Sequence, residues 1–277
     1  MFNKLKAVVR KFDEIVFNSK IQNYFYKRKV FIFLRSFKTD KTNHLAKSYF
    51  SKDLNNPLSY LCDKYGSDKG ELDNKDQPYT WAAHSYSDYY MRLFGHCRFN
   101  IKKVFECGIG SSNTNIPCSM GEMGKPGASL RVWRDYFPNA TIYGADIDKD
   151  ILFAEERIKT FFINQLDSSS IIRFWDTVNT NDFDIIIDDG LHTFDAGINL
   201  FRHSINSLSQ TGIYIIEDVK IDDLILYRDF FEGKKYNVDY VMLQQPKLLP
   251  EFIAVIRKKQ FLWYFNYFVF YFLTFLG

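Results

Sequence analysis

Lys103-Val104-Phe105-Glu106-Cys107-Gly108-Ile109-Gly110 is the stretch on which the fold turns. An apolar run meets an acid and then two glycines. That predicts a buried parallel strand breaking into a turn where the backbone must approach a ligand. Three later stretches repeat the plan: Ala140 to Asp146 closes on Gly144-Ala145-Asp146, Phe183 to Gly190 on Asp188-Asp189, and Gly212 to Val219 on Glu217-Asp218. The carboxyl ends of the strands of an open α/β sheet form one rim, and ligands bind there. Four strand ends bearing six acids therefore mark a candidate site.

Working outward, Ser111 to Gly127 reads as a long polar loop, followed by a helix from about Ala128 to Phe137. Strand, glycine loop and helix N-terminus together present backbone N–H groups to an anionic group. A dinucleotide fingerprint would need a small residue where Asn113 stands and an immediate helix, so the nicotinamide reading loses ground. Asp146 ends the second strand, where a carboxylate can accept both hydroxyls of a ribose. Asp148 is an alternative, better placed to cap a helix predicted over Asp150 to Glu156. A third strand is predicted over Phe161 to Asp167, whose Asn164–Asp167 turn could read an adenine edge. Capping of the next helix explains Asp167 equally well.

The three isoleucines before Asp188 predict a strand buried on both faces. Adjacent acids at its end are costly unless a cation or a partner compensates. Oxygen ligands converging from neighbouring strand ends, as Asp188-Asp189 and Glu217-Asp218 would, suit Mg²⁺, Mn²⁺ or Ca²⁺. His192 is expected to open a helix reaching about Leu208, and Lys220 to Phe231 a further helix. Tyr240 to Leu243 and Phe252 to Arg257 read as a closing antiparallel pair.

The 277 residues suit one large α/β domain with appendages. Residues 1–48 carry twelve Lys/Arg against three Asp/Glu, whereas 49–260 carry twenty-four against thirty. A basic arm on a mildly acidic body argues against nucleic acid as the body's substrate. The cysteines Cys62, Cys97, Cys107 and Cys118 lack ligand spacing and read as reduced cytosolic thiols. Lys4, Lys6, Arg10 and Lys11 interrupt any secretory signal. Residues 1–48 read as one or two helices, packed on the body or a second subunit, or lying on a membrane. Phe261 to Gly277 holds ten aromatics in seventeen residues behind Arg257-Lys258-Lys259. As a helix it would extend about 25 Å against a hydrocarbon core of about 30 Å, which suits an interfacial position better than a span.

From about Leu58 to Lys258 the chain resembles class I S-adenosylmethionine-dependent methyltransferases. More narrowly, it resembles the metal-dependent sugar O-methyltransferases of the macrocin and mycinamicin type. The resemblance rests on Lys64-Tyr65-Gly66-Ser67-Asp68-Lys69, Phe105 to Gly110, Gly127 to Trp133, Gly144 to Asp148, Ile187 to His192 and Ile216 to Val219. It implies a Rossmann-like, mostly parallel sheet with an antiparallel last strand, bearing a helical extension (1–57) and a hydrophobic tail (261–277) about a methyltransferase domain at 58–260. It further implies that Glu106, Gly108 and Gly110 cradle the methionine part of S-adenosylmethionine, with Ser129 and Arg131 near its carboxylate. Asp146 would take the ribose, and Gln165 and Asp167 the adenine side. Asp189, Glu217 and Asp218 would hold Mg²⁺, and His192 would be the general base. The implied activity is methyl transfer to a hydroxyl of a sugar or glycan, with a macrolide-sized acceptor disfavoured. A polysaccharide acceptor, a homo-oligomer, and a cytoplasmic site peripheral to the inner membrane face are further expectations. The rivals are a nicotinamide-dependent oxidoreductase and a membrane-tethered protein without catalysis.

Overall fold

The computed structural model describes residues 20–35, 37, 43–49, 53–72, 76–245 and 248–259. Among them, nine strands form one sheet: β1 (Asn43–Tyr49), β2 (Lys103–Cys107), β3 (Thr141–Asp146), β4 (Ala154–Glu155), β5 (Ile158–Phe162), β6 (Phe183–Asp188), β7 (Leu208–Ile216), β8 (Tyr236–Gln244) and β9 (Glu251–Lys258). The helices are α1 (20–35), α2 (Pro57–Tyr65), α3 (Tyr86–Phe94), α4 (Ala128–Tyr136), α5 (Ser168–Val178), α6 (Phe194–Ser204) and α7 (Leu224–Phe231). The strand order is β1-β8-β9-β7-β6-β2-β3-β5-β4. Strands β7, β6, β2, β3 and β5 run parallel, and β9 is antiparallel between β7 and β8. From β2 the chain proceeds outward through β3 to β5, then returns to β6 on the other side. The order therefore reverses between β2 and β6, where an open sheet leaves its crevice.

Burial explains why these segments are strands. Ile186 enters the core under α5 and α6, while Ile185 and Ile187 enter the opposite core under α3 and α4. A period of two thus buries every residue of the run, as a doubly covered parallel strand requires. The helices are amphipathic and bounded by local chemistry. Asn56 accepts the N–H groups of Leu58 and Ser59 to start α2, and Gly66 ends it at φ +77°. Val30 and Phe33 of α1 are buried against the sheet, where Phe33 meets Phe252 edge-on at 5.9 Å. The opposite face of α1 leaves Tyr24, Phe25, Phe31 and Ile32 exposed.

Several local expectations differ from the structure. Residues 43–49, read as helical, form β1, because the outer edge of β8 offers a parallel ladder from Asn43 to Tyr49. The helix expected over 150–156 is a single 3-10 turn, Lys149–Ile151, capped by Asp148. The chain then turns at Arg157 (φ +60°) so that β4 pairs back on β5. The third strand begins at Ile158 and ends at Phe162, set by Gly144 opposite Thr160. Helix α6 starts at Phe194 with Thr193 as its cap, and α7 starts at Leu224. Residues 1–19 and the tail 261–277 lie outside the described residues. Among those described, no helix is long and apolar enough to cross a membrane.

Candidate functional site

At the carboxyl end of β2, backbone hydrogen bonds continue past the strand to both neighbours. Gly108 N donates to Ala145 O (2.8 Å), and Asp189 N donates to Cys107 O (2.8 Å). One strand further, Glu217 N donates to Asp188 O (2.9 Å). These bonds bring the acids into line. Gly108 (φ +88°) lies so close to the β6 exit that a Cβ would stand 2.0 Å from the Asp189 carbonyl oxygen. The expected close approach is therefore made first by protein backbone. The turn still opens on a cavity of about 960 Å³ lined by Gly108, Gly110, Asp146, Gln165, Asp189 and His192, among others.

The adjacent acids separate as strand alternation dictates. Asp188 turns under the sheet to Gln165 Nε2 (2.6 Å), and burial pushes its carboxyl up to about 6. Asp189 turns the other way, to Lys69 Nζ (2.6 Å). In the second pair Glu217 accepts from Lys69 and from Tyr90 Oη (2.5 Å), while Asp218 accepts from Tyr86 Oη (2.6 Å). Lys69 also stands 3.2 Å from Glu106. Burial alone would lower the lysine, but Asp189, Glu217 and Glu106 outweigh it and hold the ammonium well above its ordinary value. Burial pushes Glu217 and Glu106 up, with Lys69 opposing.

Asp189, His192 and Asp218 bring one ligand atom each within 4.8 Å of one another. His192 Nε2 is 3.7 Å from Asp218 Oδ2 and 4.0 Å from Asp189 Oδ1. Both His192 (φ +52°) and Asp218 (φ +49°) occupy the left-handed region, a strain that functional sites concentrate. Burial would raise the Asp218 carboxyl, yet His84, His192 and Tyr86 prevail and lower it. The two carboxylates at a cavity wall suit a hard divalent cation, whose ligands are oxygens, and leave the imidazole beside them free of that task. Glu217, expected beside them, is turned to Lys69 and Tyr90 instead.

The cofactor-side residues divide. Asp146 lines the cavity, with its oxygens accepting from Ile109 N and Asp148 N (both 2.9 Å). Asp148, the alternative acid, is spent on Ser111 and on Asp150 N. Gln165 lines the cavity between Asp188 and Leu191 N. Glu106 is wholly buried behind the glycine turn, accepting from Trp133 Nε1 (2.6 Å). Three further expected residues, like Glu106, do not line the cavity. Asp167 caps α5 and pairs with Arg173; Ser129 is buried in α4; Arg131 is drawn to Glu155 (2.6 Å) by the β4 hairpin. Lys69, Tyr86 and Tyr90 received no role from the sequence. The usable signal was the four-residue spacing of the two tyrosines, which aims both hydroxyls from one helix face.

No protein-family model matches the chain. Over 163 residues, 59% of this chain and 38% of the relative, it is 29% identical to the 8-demethyl-8-alpha-L-rhamnosyl tetracenomycin-C 2'-O-methyltransferase of Streptomyces olivaceus. It is 30% identical to the demethylmacrocin O-methyltransferase of Streptomyces fradiae over 159 residues, 57% of this chain and 38% of that one. The matched part thus spans little more than a third of these relatives' length. The solved structure of the MycE methyltransferase from the mycinamycin pathway, in complex with Mg and SAH, superposes with a TM-score of 0.54 at 24% identity, covering 74% of this chain and 55% of that one. The likeness to the solved structure establishes the fold, a Rossmann-like α/β sheet, and the two relatives by sequence are O-methyltransferases.

Proposed function

From that fold and that kinship, we propose that the chain is an S-adenosylmethionine-dependent O-methyltransferase acting on a sugar or glycan hydroxyl, assisted by a divalent cation. The observation that carries the reading is the convergence of Asp189, His192 and Asp218 on the wall of the cavity that Gly108, Gly110 and Asp146 also line. Asp146 orients the cofactor's ribose, and the backbone of the glycine turn faces its methionine part. Asp189 and Asp218 would hold Mg²⁺, with Glu217 behind them through Lys69. Bound there, the cation supplies positive charge against the oxygen that becomes anionic during transfer. His192 Nε2 takes the proton of the acceptor hydroxyl as that oxygen forms its bond to the methyl carbon and the methyl–sulfur bond breaks. The test is release of S-adenosylhomocysteine in the presence of glycosides, with and without EDTA. An enzyme indifferent to EDTA would refute the cation's part.

The catalytic unit in this reading is 58–260. The outward face of α1 and the segment 261–277 are its contact with an anionic membrane surface, β1 being part of the sheet; the reading is supported by the ten aromatics of that segment and by the exposed aromatic face of α1. A lipid-linked or surface glycan follows as acceptor. The 277-residue chain should sediment with phosphatidylglycerol vesicles, and protein truncated at 260 should sediment less. Association into oligomers without vesicle binding would assign the apolar segments to a second copy instead.

A further inference from the structure

One wall of the cavity has been given no part in holding the acceptor. It runs away from Asp218 through Tyr86 to His84, Asp68 and Trp81. Tyr86 donates to Asp218 Oδ1 (2.6 Å) and stacks its ring on His84 at 4.5 Å and 14°. His84 lies between two carboxylates, Glu251 Oε2 at 3.0 Å from Nδ1 and Asp68 Oδ2 at 3.6 Å from Nε2. Asp68 Oδ2 also accepts from Trp81 Nε1 (2.7 Å). Among the described residues Asp68 is held at Oδ2 and Glu251 at Oε2, and both line the cavity, where a carboxylate can accept from a ligand hydroxyl. Trp81 is fixed twice, by that N–H and by stacking on Tyr79 at 5.6 Å and 30°. It nevertheless remains 36% exposed and lines the cavity.

We propose that Trp81, Asp68, His84 and Glu251 form the acceptor subsite, and that its occupant is a pyranose ring. This rests on the methyltransferase reading for its purpose and on the wall's own chemistry for its ligand. A pyranose has an apolar C–H face that suits the electron-rich face of a held indole. It also has vicinal hydroxyls, which donate to paired carboxylates. The imidazole between the acids keeps them apart and anchored, so the site is formed before the ligand arrives. With the ring on Trp81, the row Asp68–His84–Tyr86–Asp218 leads to the reactive cluster. One hydroxyl of the same sugar, or of its neighbour in a chain, can then reach His192.

The experiment is saturation-transfer NMR on the full chain loaded with S-adenosylhomocysteine, with methyl α-L-rhamnopyranoside and methyl β-D-glucopyranoside as probes. At least one probe should receive saturation at its ring C–H protons. Trp81→Leu should bind it about tenfold more weakly, the size of a lost aromatic contact, with S-adenosylhomocysteine affinity unchanged. Trp81→Phe should retain most of the signal. Should Trp81→Leu not fold, Asp68→Asn is read in its place, with the same weakening expected. Binding of S-adenosylhomocysteine with no transfer to either probe would overturn the subsite alone, as would probe binding undiminished in Trp81→Leu or Asp68→Asn. Probe binding without S-adenosylhomocysteine binding would refute the methyltransferase reading and leave the subsite standing.

Discussion

Lys69 shows what a single residue contributes here. Its buried ammonium joins Glu106 and Glu217, both buried, and Asp189 at the cavity wall. Removing one partner of such a cluster strands charge that water cannot reach, at a cost of about 3–5 kcal/mol. Lys69→Met should therefore lower the urea midpoint sharply, and an unchanged midpoint would show that the acids find other partners. His192 tests the chemistry separately. His192→Ala should slow transfer by about 10²–10⁴-fold with S-adenosylhomocysteine affinity intact, as loss of a general base does. A rate within a few-fold of the parent would remove it from that role. The acids were legible in the sequence because a strand pattern places each at a strand end. Lys69 was not, since its partners Asp189 and Glu217 lie 120 and 148 positions away. Arg131 stands off the cavity for a related reason: the hairpin carrying Glu155, 24 positions on, holds its guanidinium at 2.6 Å.

Among the elements, the junction of β2 with the β6 exit is the tightest. A methyl group at position 108 would collide with the Asp189 backbone and would also have to sit at φ +88°. Gly108→Ala should thus push the β6 exit away and disperse Asp189 from Asp218, abolishing tight metal binding in calorimetry. Undisturbed binding would show that the junction yields. A second tie joins α2 to α4. Burial works to raise the Asp135 carboxyl, yet the Tyr65 hydroxyl and the Arg134 and Lys64 cations prevail and lower it to about 2. A folded value below the unfolded one of about 3.9 gives stability that is present above that pH and lost as pH falls through about 2. Asp135→Asn should be less stable than the parent at pH 6, and the gap should close between pH 4 and 2. A gap constant over that range would contradict the tie. Strands with continuous apolar runs were readable element by element. Strand β1 was not, because Asn43 to Tyr49 is mixed in composition and takes its conformation from the open edge of β8.

At the scale of the whole molecule, sheet order does the decisive work. Reversal between β2 and β6 places the glycine turn beside the Asp189 strand end, and the backbone ladder carries Glu217 and Asp218 to the next position. This was legible because four apolar runs, each closing on acids, admit few arrangements of an open sheet. The direction in which each acid points was not, since that depends on tyrosines and a lysine delivered by the N-terminal third. Calorimetric titration of S-adenosylhomocysteine into the full chain, beside Asp146→Ala and with NADH as control, addresses the central claim most directly. The account predicts one site per chain, at least about tenfold weaker in Asp146→Ala, and no binding of NADH. Binding of NADH in place of S-adenosylhomocysteine, or affinity for the latter indifferent to Asp146, would contradict it.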